Sequence, residues 1–327
     1  VVERVGKNVK DLAPGDRVTG LAPYSFRSFL TVHRRKVFSL PKRMSFSDAA
    51  TLPTVFLTAH YALNELARMQ KGESILIHAG TGGVGMAAIQ VAQRLGLEIF
   101  ATAGSVEKRT MLRNMGVPHV LNSRTLEFAD QIMEITEGRG VDAVLNSLAR
   151  EFIPKSLSVL APFGRFLEIG KIDVYGNTRV RLNALKDNIS CFVIDLAQHL
   201  SAKPDYVASM FDELAQRFAA GDYRPLPSKV FPISEVVDAF RYMAQGKHVG
   251  KNVLSLTGKE IPVAPCSEEG HFLKADATYL ITGGAGGFGW DIAKWMVSEG
   301  ARNLALMSRT GPRAEIAADL EKLKASG

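Results

Sequence analysis

The chain has 327 residues, 46% of them hydrophobic and 22% charged, which is the composition of a globular protein with a sizeable buried core. Its formal net charge of +7 comes from lysines and arginines that are spread along the chain. This pattern predicts no nucleic-acid contact and favours small phosphate-bearing ligands or an acidic carrier protein. No apolar run is long enough to cross a bilayer and no signal peptide begins the sequence, so no membrane contact is expected.

The two cysteines, Cys191 and Cys266, lie far apart in the sequence. They offer neither a disulfide framework nor a cysteine-built zinc site, and such sparse use favours the reducing cytoplasm. The chain opens on a strand pattern without a methionine, and it ends at Gly327 after a helical pattern that has nothing to pack against. We therefore expect it to be an excerpt of a longer protein.

The first 45 residues favour part of a β-barrel-like domain, because short β-rich stretches at residues 16–21 and 28–32 alternate with turn residues such as Pro14 and Gly15. From residue 46 onward, strands and helices alternate, which predicts a doubly wound parallel sheet of the Rossmann type. Short, almost wholly apolar strands are predicted at residues 74–78, 98–102, 143–146, 165–169 and 189–193. Helices are predicted at residues 84–95, 107–115, 126–136 and 152–160.

Four regions follow from this order of elements. Pro225 and Pro227 interrupt the alternation, and the strand, helix and strand that follow are assigned to the β-rich domain, which thus comprises residues 1–45 and 226–256. The nucleotide-binding domain is residues 46–225. Residues 257–275 have the composition of a linker. Residues 276–327 begin a second nucleotide-binding domain, in which a strand, a glycine-rich turn, a helix and another strand recur.

The most informative motif is the glycine-rich turn between the first predicted strand of the sheet and the helix that follows it. It contains Ala79, Gly82, Gly83, Val84 and Gly85. Residues without a Cβ let backbone N–H groups approach a ligand, and the helix N-terminus behind them attracts a pyrophosphate. We therefore expect a bound dinucleotide, the alternative being a tight turn without a ligand.

The end of the next strand favours NADPH over NADH. An NAD enzyme commonly has an acidic residue about 20 residues beyond the turn, and this chain has Ser105 there, followed by Lys108 and Arg109. A small polar residue and two cations can bind a 2′-phosphate through charge-assisted hydrogen bonds. The alternative is that both cations lie on a solvated helix start.

Residues 1–256 resemble the zinc-free, quinone-oxidoreductase-like medium-chain reductases. Among these they resemble most the enoyl-reductase domains of type I polyketide synthases and animal-type fatty acid synthases. The likeness rests on residues 76–85, 122–124, 144–148, 164–171 and 247–251. It implies that the β-rich part is an incomplete GroES-like substrate domain, beside a Rossmann domain that binds NADPH.

The segment from Thr278 resembles the opening of the ketoreductase domain that follows enoyl reductase in such synthases. Gly283, Gly287 and Gly289 match its nucleotide-binding turn, and Ser308 and Arg309 match the place where that family holds the NADPH phosphate. The sequence ends before that family's catalytic residues, so this segment is expected to be only the start of the domain.

The resemblance also implies a mechanism, in which hydride from NADPH reaches the β-carbon of an α,β-unsaturated thioester and a proton then reaches the α-carbon. Lys171 and Asp195 correspond to the proposed proton-donor pair. Lys171 could instead act electrostatically on the cofactor phosphates, and Asp195 could instead cap a helix. The family's tyrosine that is sometimes assigned to protonation has no match in this sequence.

Further cofactor contacts are carried over from matching segments. Asn146, Ser147 and Leu148 match contacts to the nicotinamide side, and Arg124 matches an adenine-side contact, unless it is a solvated loop residue. Gly170 and Lys251 complete the expected set.

The implied partners are an acyl carrier protein domain with a phosphopantetheine-linked acyl chain, neighbouring synthase domains, and a second copy in a homodimer. A zinc alcohol dehydrogenase shares the fold, but the chain lacks its cysteine and histidine ligands, so no metal is expected. Two alternatives stay open, namely a freestanding quinone or small-enone reductase and a non-catalytic NADPH-binding module.

Overall fold

Six parallel strands form the central sheet of this chain. The structure is a computed structural model that describes residues 1–176, 179, 182–197, 202–257, 273–309, 311 and 314–325. It divides into two units, Val1–Ile261 and Pro262–Gly327. Most of the predicted linker, together with His199, Cys266 and His271, lies outside the described residues.

The strands and helices are given in chain order. The strands are β1 (Val18–Gly20), β2 (Val37–Ser39), β3 (Ser74–Ile77), β4 (Glu98–Ala103), β5 (His119–Asn122), β6 (Val141–Asn146), β7 (Leu160–Glu168), β8 (Ser190–Val193), β9 (Ser228–Pro232), β10 (Lys251–Ser255), β11 (Thr278–Thr282) and β12 (Asn303–Met307). The α-helices are α1 (Phe46–Ala50), α2 (Pro53–His60), α3 (Gly83–Leu95), α4 (Val106–Asn114), α5 (Phe128–Ile135), α6 (Phe152–Leu157), α7 (Ile172–Tyr175), α8 (Pro204–Ala220), α9 (Val236–Ala244), α10 (Gly287–Ser298) and α11 (Ala314–Ala325). A π-helical stretch, Tyr61–Leu66, continues α2.

The central sheet has the strand order β5-β4-β3-β6-β7-β8, and all its pairings are parallel. Its strands are buried on both faces: Ile75 and Ile77 pack on one face with α2, α3 and α8, whereas Leu76 packs on the other with α5 and α6. The chain order reverses between β3 and β6, and ligands of open α/β sheets bind at the carboxyl ends of the strands where such a reversal occurs. The doubly wound α/β fold predicted from sequence is confirmed.

Helix ends follow local chemistry. Gly82 precedes α3, and Gly96 ends it in the left-handed conformation with a φ of 72°, which glycine adopts without a steric penalty. The Ser105 side chain accepts a hydrogen bond from the Lys108 backbone N–H and so caps α4. The rigid start of α3 therefore lies directly behind the glycine-rich turn.

The β-rich part forms two small sheets. Strands β1 and β2 pair antiparallel, with Val18 opposite Ser39, and β9 and β10 pair parallel around α9. The strand predicted at residues 28–32 is wrong, since Phe29 is 75% exposed there and the segment has no sheet partner among the described residues. Strand β10 is preceded by Gly250, which bridges to Gly82, so this part of the chain reaches the glycine-rich turn.

The second unit contains one parallel strand pair, β11 and β12, with α10 between them in sequence. Its small core includes Ile281, Trp290 and Met296. This is the strand, turn, helix and strand order predicted for the start of a second nucleotide-binding domain. Across the described part of both units, no helix is long and apolar enough to cross a membrane.

A buried histidine joins three elements of the first unit directly before the glycine-rich turn. His78 Nδ1 lies 3.0 Å from the Thr102 hydroxyl on β4, and Nε2 lies 2.8 Å from the Ser156 hydroxyl on α6. Burial lowers the pKa of His78 to about 3, so the ring stays neutral in the folded protein at neutral pH.

His78→Leu should lower the free energy of unfolding by about 2–4 kcal/mol, because two buried hydroxyls lose their partner. Since the folded pKa is depressed, His78 makes the wild type lose stability as pH falls from the unfolded value toward the folded one. The substitution should flatten that decline. Urea unfolding at about pH 5 and about pH 8 measures both effects.

His119→Leu is the matched control, because His119 lies on edge strand β5 and pairs with the exposed Glu98 at 2.9 Å. It should change stability by no more than about 1 kcal/mol. Equal losses for the two variants would contradict a structural role for the His78 network.

Candidate active site

The glycine-rich turn leaves β3 at the reversal of strand order and leads into α3. The Gly82 N–H donates to the Ala79 carbonyl at 2.8 Å. A Cβ on Gly85 would collide with the Ala79 carbonyl oxygen and lie 2.8 Å from the Gly80 Cα, whereas one on Gly82 would meet only the Ala79 oxygen, at 3.2 Å. The turn is thus packed most tightly at Gly85 and closely at Gly82, and it leads into a helix N-terminus of the kind that binds a pyrophosphate.

A desolvated lysine lies beside this turn. The Gly250 N–H donates to the Thr81 carbonyl at 2.9 Å, and a Cβ on Gly83 would lie 2.8 Å from the Lys251 Cδ. Burial lowers the pKa of Lys251. No hydrogen bond or ion pair within the described part of the chain engages its ammonium, so this cation is available to an anion bound at the turn.

Three cations gather at the end of β4. The Lys108 ammonium donates to the carbonyls of Gly246 at 2.7 Å and His248 at 2.9 Å. Burial, and then the charge of Arg124, lowers the pKa of Lys108. Arg109 donates to the Ala103 carbonyl at 3.3 Å. Lys108 is therefore partly committed to backbone carbonyls, which the sequence did not reveal.

Arg124 is the most exposed of the three cations. It lies so close to Gly104 that a Cβ there would be 3.1 Å from the guanidinium Cζ, and its backbone N–H donates to the Asn122 side chain at 3.0 Å. The Ser105 hydroxyl caps α4 and lowers the pKa of Glu107 by a hydrogen bond. Ser105, Lys108, Arg109 and Arg124 thus come together as the sequence predicted, with Glu107 beside them.

The turns after β6 and β7 are joined by a carboxylate. The Asn146 amide nitrogen donates to Glu168 Oε2 at 2.6 Å and to the Leu148 carbonyl at 2.8 Å, and the Gly170 N–H donates to Glu168 Oε1 at 2.5 Å. The Asn146 side chain is fully buried and holds the turn, whereas Ser147 and Leu148 are partly exposed.

Glu168 is a residue that sequence reasoning missed. It is 5% exposed, and burial raises its pKa to about 7 against the opposing hydrogen bonds from Asn146 and Gly170, with the charge of Asp173 adding to the rise. A carboxylate within the apolar stretch of residues 166–169 was the available signal, because an unpaired acid is rare inside a parallel strand.

Lys171 and Asp195 form an ion pair at the same edge of the sheet. Lys171 Nζ lies 2.9 Å from Asp195 Oδ2, with the side chains 49% and 25% exposed. The pair raises the pKa of Lys171 and lowers that of Asp195. Asp195 also accepts from the Ala197 N–H at 3.1 Å and from the Tyr175 hydroxyl at 3.3 Å. Asp195 therefore both caps the following segment and holds Lys171.

The second unit has its own glycine-rich turn. Gly283 and Gly287 have φ values of 73° and 49°, and a Cβ on Gly289 would lie 2.7 Å from the Gly283 carbonyl carbon. A cavity of about 610 Å³ adjoins this turn. Its lining includes Thr282, Gly283, Gly287, Met307, Ser308 and Arg309. The residues predicted for a second dinucleotide site thus lie together.

Both units of the chain match known proteins. The zinc-binding dehydrogenase family matches residues 115–254, and the KR domain family matches residues 277–327. The crystal structure of CurK enoyl reductase is 48% identical, with a TM-score of 0.72, over 77% of this chain and 76% of that one. The nucleotide-binding subdomain of the enoylreductase domain of PpsC from Mycobacterium tuberculosis is 45% identical, with a TM-score of 0.50, over 53% of this chain and 96% of that one.

The chain belongs to the enoyl reductases of polyketide synthases. The highly reducing polyketide synthase 40 of Fusarium mangiferae is 39% identical over all of this chain, which spans 14% of the length of that synthase. The enoyl-reductase fold implies a nicotinamide cofactor, and the closely packed glycine turn at Gly82 and Gly85, which leads directly into α3, fits one.

One matching family is named for zinc. Within the described residues, however, no group of three histidine, cysteine, aspartate or glutamate side chains is arranged to hold a metal ion. The site has three parts on one edge of its sheet, namely the glycine-rich turn with Lys251, the cations around Arg124, and the Lys171–Asp195 pair beside Glu168.

Proposed function

We propose that this chain is an NADPH-dependent enoyl reductase that reduces the α,β double bond of a carrier-bound enoyl thioester during polyketide chain extension. The observation that carries the proposal is the Lys171–Asp195 ion pair, which lies at the carboxyl edge of the sheet whose glycine-rich turn fits a dinucleotide. Ligands bind at this edge in open α/β sheets, so one crevice combines cofactor and acid.

A bound nicotinamide cofactor would supply a hydride to the β-carbon of the enoyl group. Lys171 then has two tasks: its ammonium stabilises the negative charge that develops on the thioester oxygen, and Nζ donates a proton to the α-carbon. Asp195 keeps the ammonium charged and oriented through the 2.9 Å contact. Lys171 regains its proton from water, since its side chain is about half exposed.

The choice of NADPH is supported by the cation cluster. Lys108, Arg109 and Arg124 lie around the end of β4, where a ribose 2′-phosphate is expected. Lys108 keeps one ammonium hydrogen beyond its two carbonyl contacts, and the Arg124 guanidinium is planar and can bind a phosphate with two hydrogen bonds. We infer that these two residues discriminate the phosphorylated cofactor.

The partners are part of the same proposal. Strand β8 pairs only with β7 among the described strands, and its Val193 is 59% exposed, so this unpaired edge can accept a strand of a second copy in a homodimer. The family matches in residues 115–254 and 277–327 support adjoining reductase and ketoreductase domains. The boundaries stay those proposed from the sequence, namely 1–45 with 226–256, 46–225, 257–275 and 276–327. An acyl carrier protein that delivers the thioester and a cytoplasmic location stay predictions.

The direct test is cofactor oxidation by the purified protein with the crotonyl thioester of a pantetheine analogue. NADPH absorbance should fall in proportion to the butyryl thioester formed. Tight NADPH binding without reduction would favour a non-catalytic binding module, and reduction of quinones but not thioesters would favour a freestanding quinone reductase.

Lys171→Met should lower the rate of a single turnover by about 100-fold or more, because the transition state loses its proton donor and its cation. The dissociation constant for NADPH should change by less than about threefold. Stopped-flow absorbance and calorimetry measure the two quantities. Lys155→Met is the matched control, since Lys155 forms a solvent-exposed ion pair with Asp130 at 3.0 Å. A loss confined to cofactor affinity would assign Lys171 to cofactor electrostatics.

Lys108→Ala and Arg124→Ala should each weaken NADPH binding by about 10- to 100-fold, the cost of a charge-assisted contact, and should change NADH binding by less than about threefold. Arg124→Ala should have the larger effect, because Lys108 already serves two carbonyls. Calorimetric titration of each variant with NADPH and with NADH measures these affinities. Arg113→Ala is the control, because Arg113 is exposed and lies on the same helix as Lys108. Equal losses for NADPH and NADH would refute the 2′-phosphate assignment.

A further inference from the structure

Glu168 occupies a place that the proposed mechanism does not use. It ends β7, between the turn that carries Ser147 and the turn that carries Lys171. Each of its two carboxylate oxygens receives its own donor, one from the Asn146 amide at 2.6 Å and one from the Gly170 N–H at 2.5 Å. One buried side chain thus connects two turns that come from different strands.

The Asn146 side chain also hydrogen-bonds to the backbone of its own turn. Its nitrogen donates to the Leu148 carbonyl at 2.8 Å, and its oxygen accepts from the Leu148 N–H at 3.2 Å. A second contact joins the same two segments, because the Asp173 carboxylate accepts from the Arg150 N–H at 2.9 Å. The contact through Glu168 is the buried one, and it reaches Gly170, the residue directly before Lys171.

The two hydrogen-bond donors around Glu168 favour its ionised form. An ionised carboxylate accepts at both oxygens, whereas a protonated one carries a hydrogen that faces one of the two donors. Gly170 is also sterically constrained, since a Cβ there would lie 2.7 Å from Glu168 Oε1. The site is therefore shaped around a carboxylate with two acceptors.

We propose that Glu168 is a positioning residue of the reductase, whose ionised carboxylate locks the turn at 146–148 to the turn at 170–171 and so fixes Lys171 relative to the nicotinamide end of the cofactor. The inference rests on the proposed function, because it concerns the placement of Lys171 for reduction. Misplacement of a reacting group by about 1 Å can cost about 100-fold in rate.

The connection depends on pH near neutrality. The pKa of Glu168 is raised to about 7, chiefly by burial, and the groups that face it are Asn146, Gly170, Asp173 and, from β8, Cys191. Lys171 and Asp195 keep their charges in this range, because their pair raises one pKa and lowers the other. The rate of reduction should therefore rise as pH increases through about 7.

The stability of the fold changes in the opposite direction. Since the folded pKa of Glu168 lies above its unfolded value, the group stabilises the fold fully below the unfolded value, and this contribution is lost as pH rises through about 7. As pH rises toward about 7, the rate of reduction is thus expected to increase while the free energy of unfolding decreases. These opposite changes distinguish a positioning role of Glu168 from a general stabilising role.

The test compares Glu168→Gln, Glu168→Asp and the control Glu98→Gln in single-turnover reduction of the crotonyl thioester across this pH range. Glu98 is a suitable control because it lies at the exposed start of β4, away from the strand ends that form the site. Glu168→Gln has one acceptor only, so its rate at about pH 8 should fall by about 10- to 100-fold. Its inflection near neutrality should vanish, while NADPH affinity changes by less than about threefold.

Glu168→Asp keeps the charge and should retain the inflection with a smaller loss of rate. A wild-type rate and pH profile in Glu168→Gln would overturn the proposal, as would a reduced rate with the inflection unchanged. Glu98→Gln should match the wild type in both.

The wild-type protein provides a test that needs neither a folded variant nor thioester reduction. In nitrogen-15 NMR, the Asn146 side-chain amide and the Gly170 backbone amide should shift with one common midpoint, near pH 7. Independent or absent shifts would overturn the connection. A common midpoint in a protein that reduces no thioester would leave the connection intact and refute the proposed function instead.

Discussion

The reversal of strand order between β3 and β6 is the constraint on which the site depends. All strands of the central sheet are parallel, so their exits lie on one edge, and the helices that follow β3 and β6 pack on opposite faces. In such sheets the position of the ligand-binding crevice follows from the strand order and does not depend on which reactive side chains are present. Each part of the proposed mechanism is a turn or strand end on this edge.

The charged groups on this edge of the sheet change in kind from β4 to β8. Cations gather after β4, a desolvated lysine lies beside the turn after β3, and a buried acid joins the exits of β6 and β7. The exposed Lys171–Asp195 pair follows at β7 and β8. This order of charges suits a dinucleotide whose phosphates lie beside the cations after β4 and β3 and whose reactive ring lies near Lys171, since anions and developing negative charge each then meet a cation.

Much of the fold could be predicted from the sequence because parallel strands buried on both faces read as apolar runs. Strand β5 escaped prediction because its four residues begin with His119 and end with Asn122, which read as a loop. Helix α8 is missing from the prediction although Val207, Met210, Phe211 and Leu214 follow helical spacing. The candidate site residues were predicted from motifs. Glu168 was missed because its only sequence signal is an acid within an apolar strand, whereas its hydrogen bonds to Asn146 and Gly170 appear only in the folded chain.

The most direct measurement follows the hydride itself. Deuterium at the transferable position of the NADPH nicotinamide should appear at the β-carbon of the butyryl thioester formed from the crotonyl thioester, while the α-carbon takes its hydrogen from solvent. Mass spectrometry and NMR of the product determine both positions. Deuterium at the α-carbon, or oxidation of NADPH without deuterium in the thioester, would contradict an enoyl reductase at this edge of the sheet.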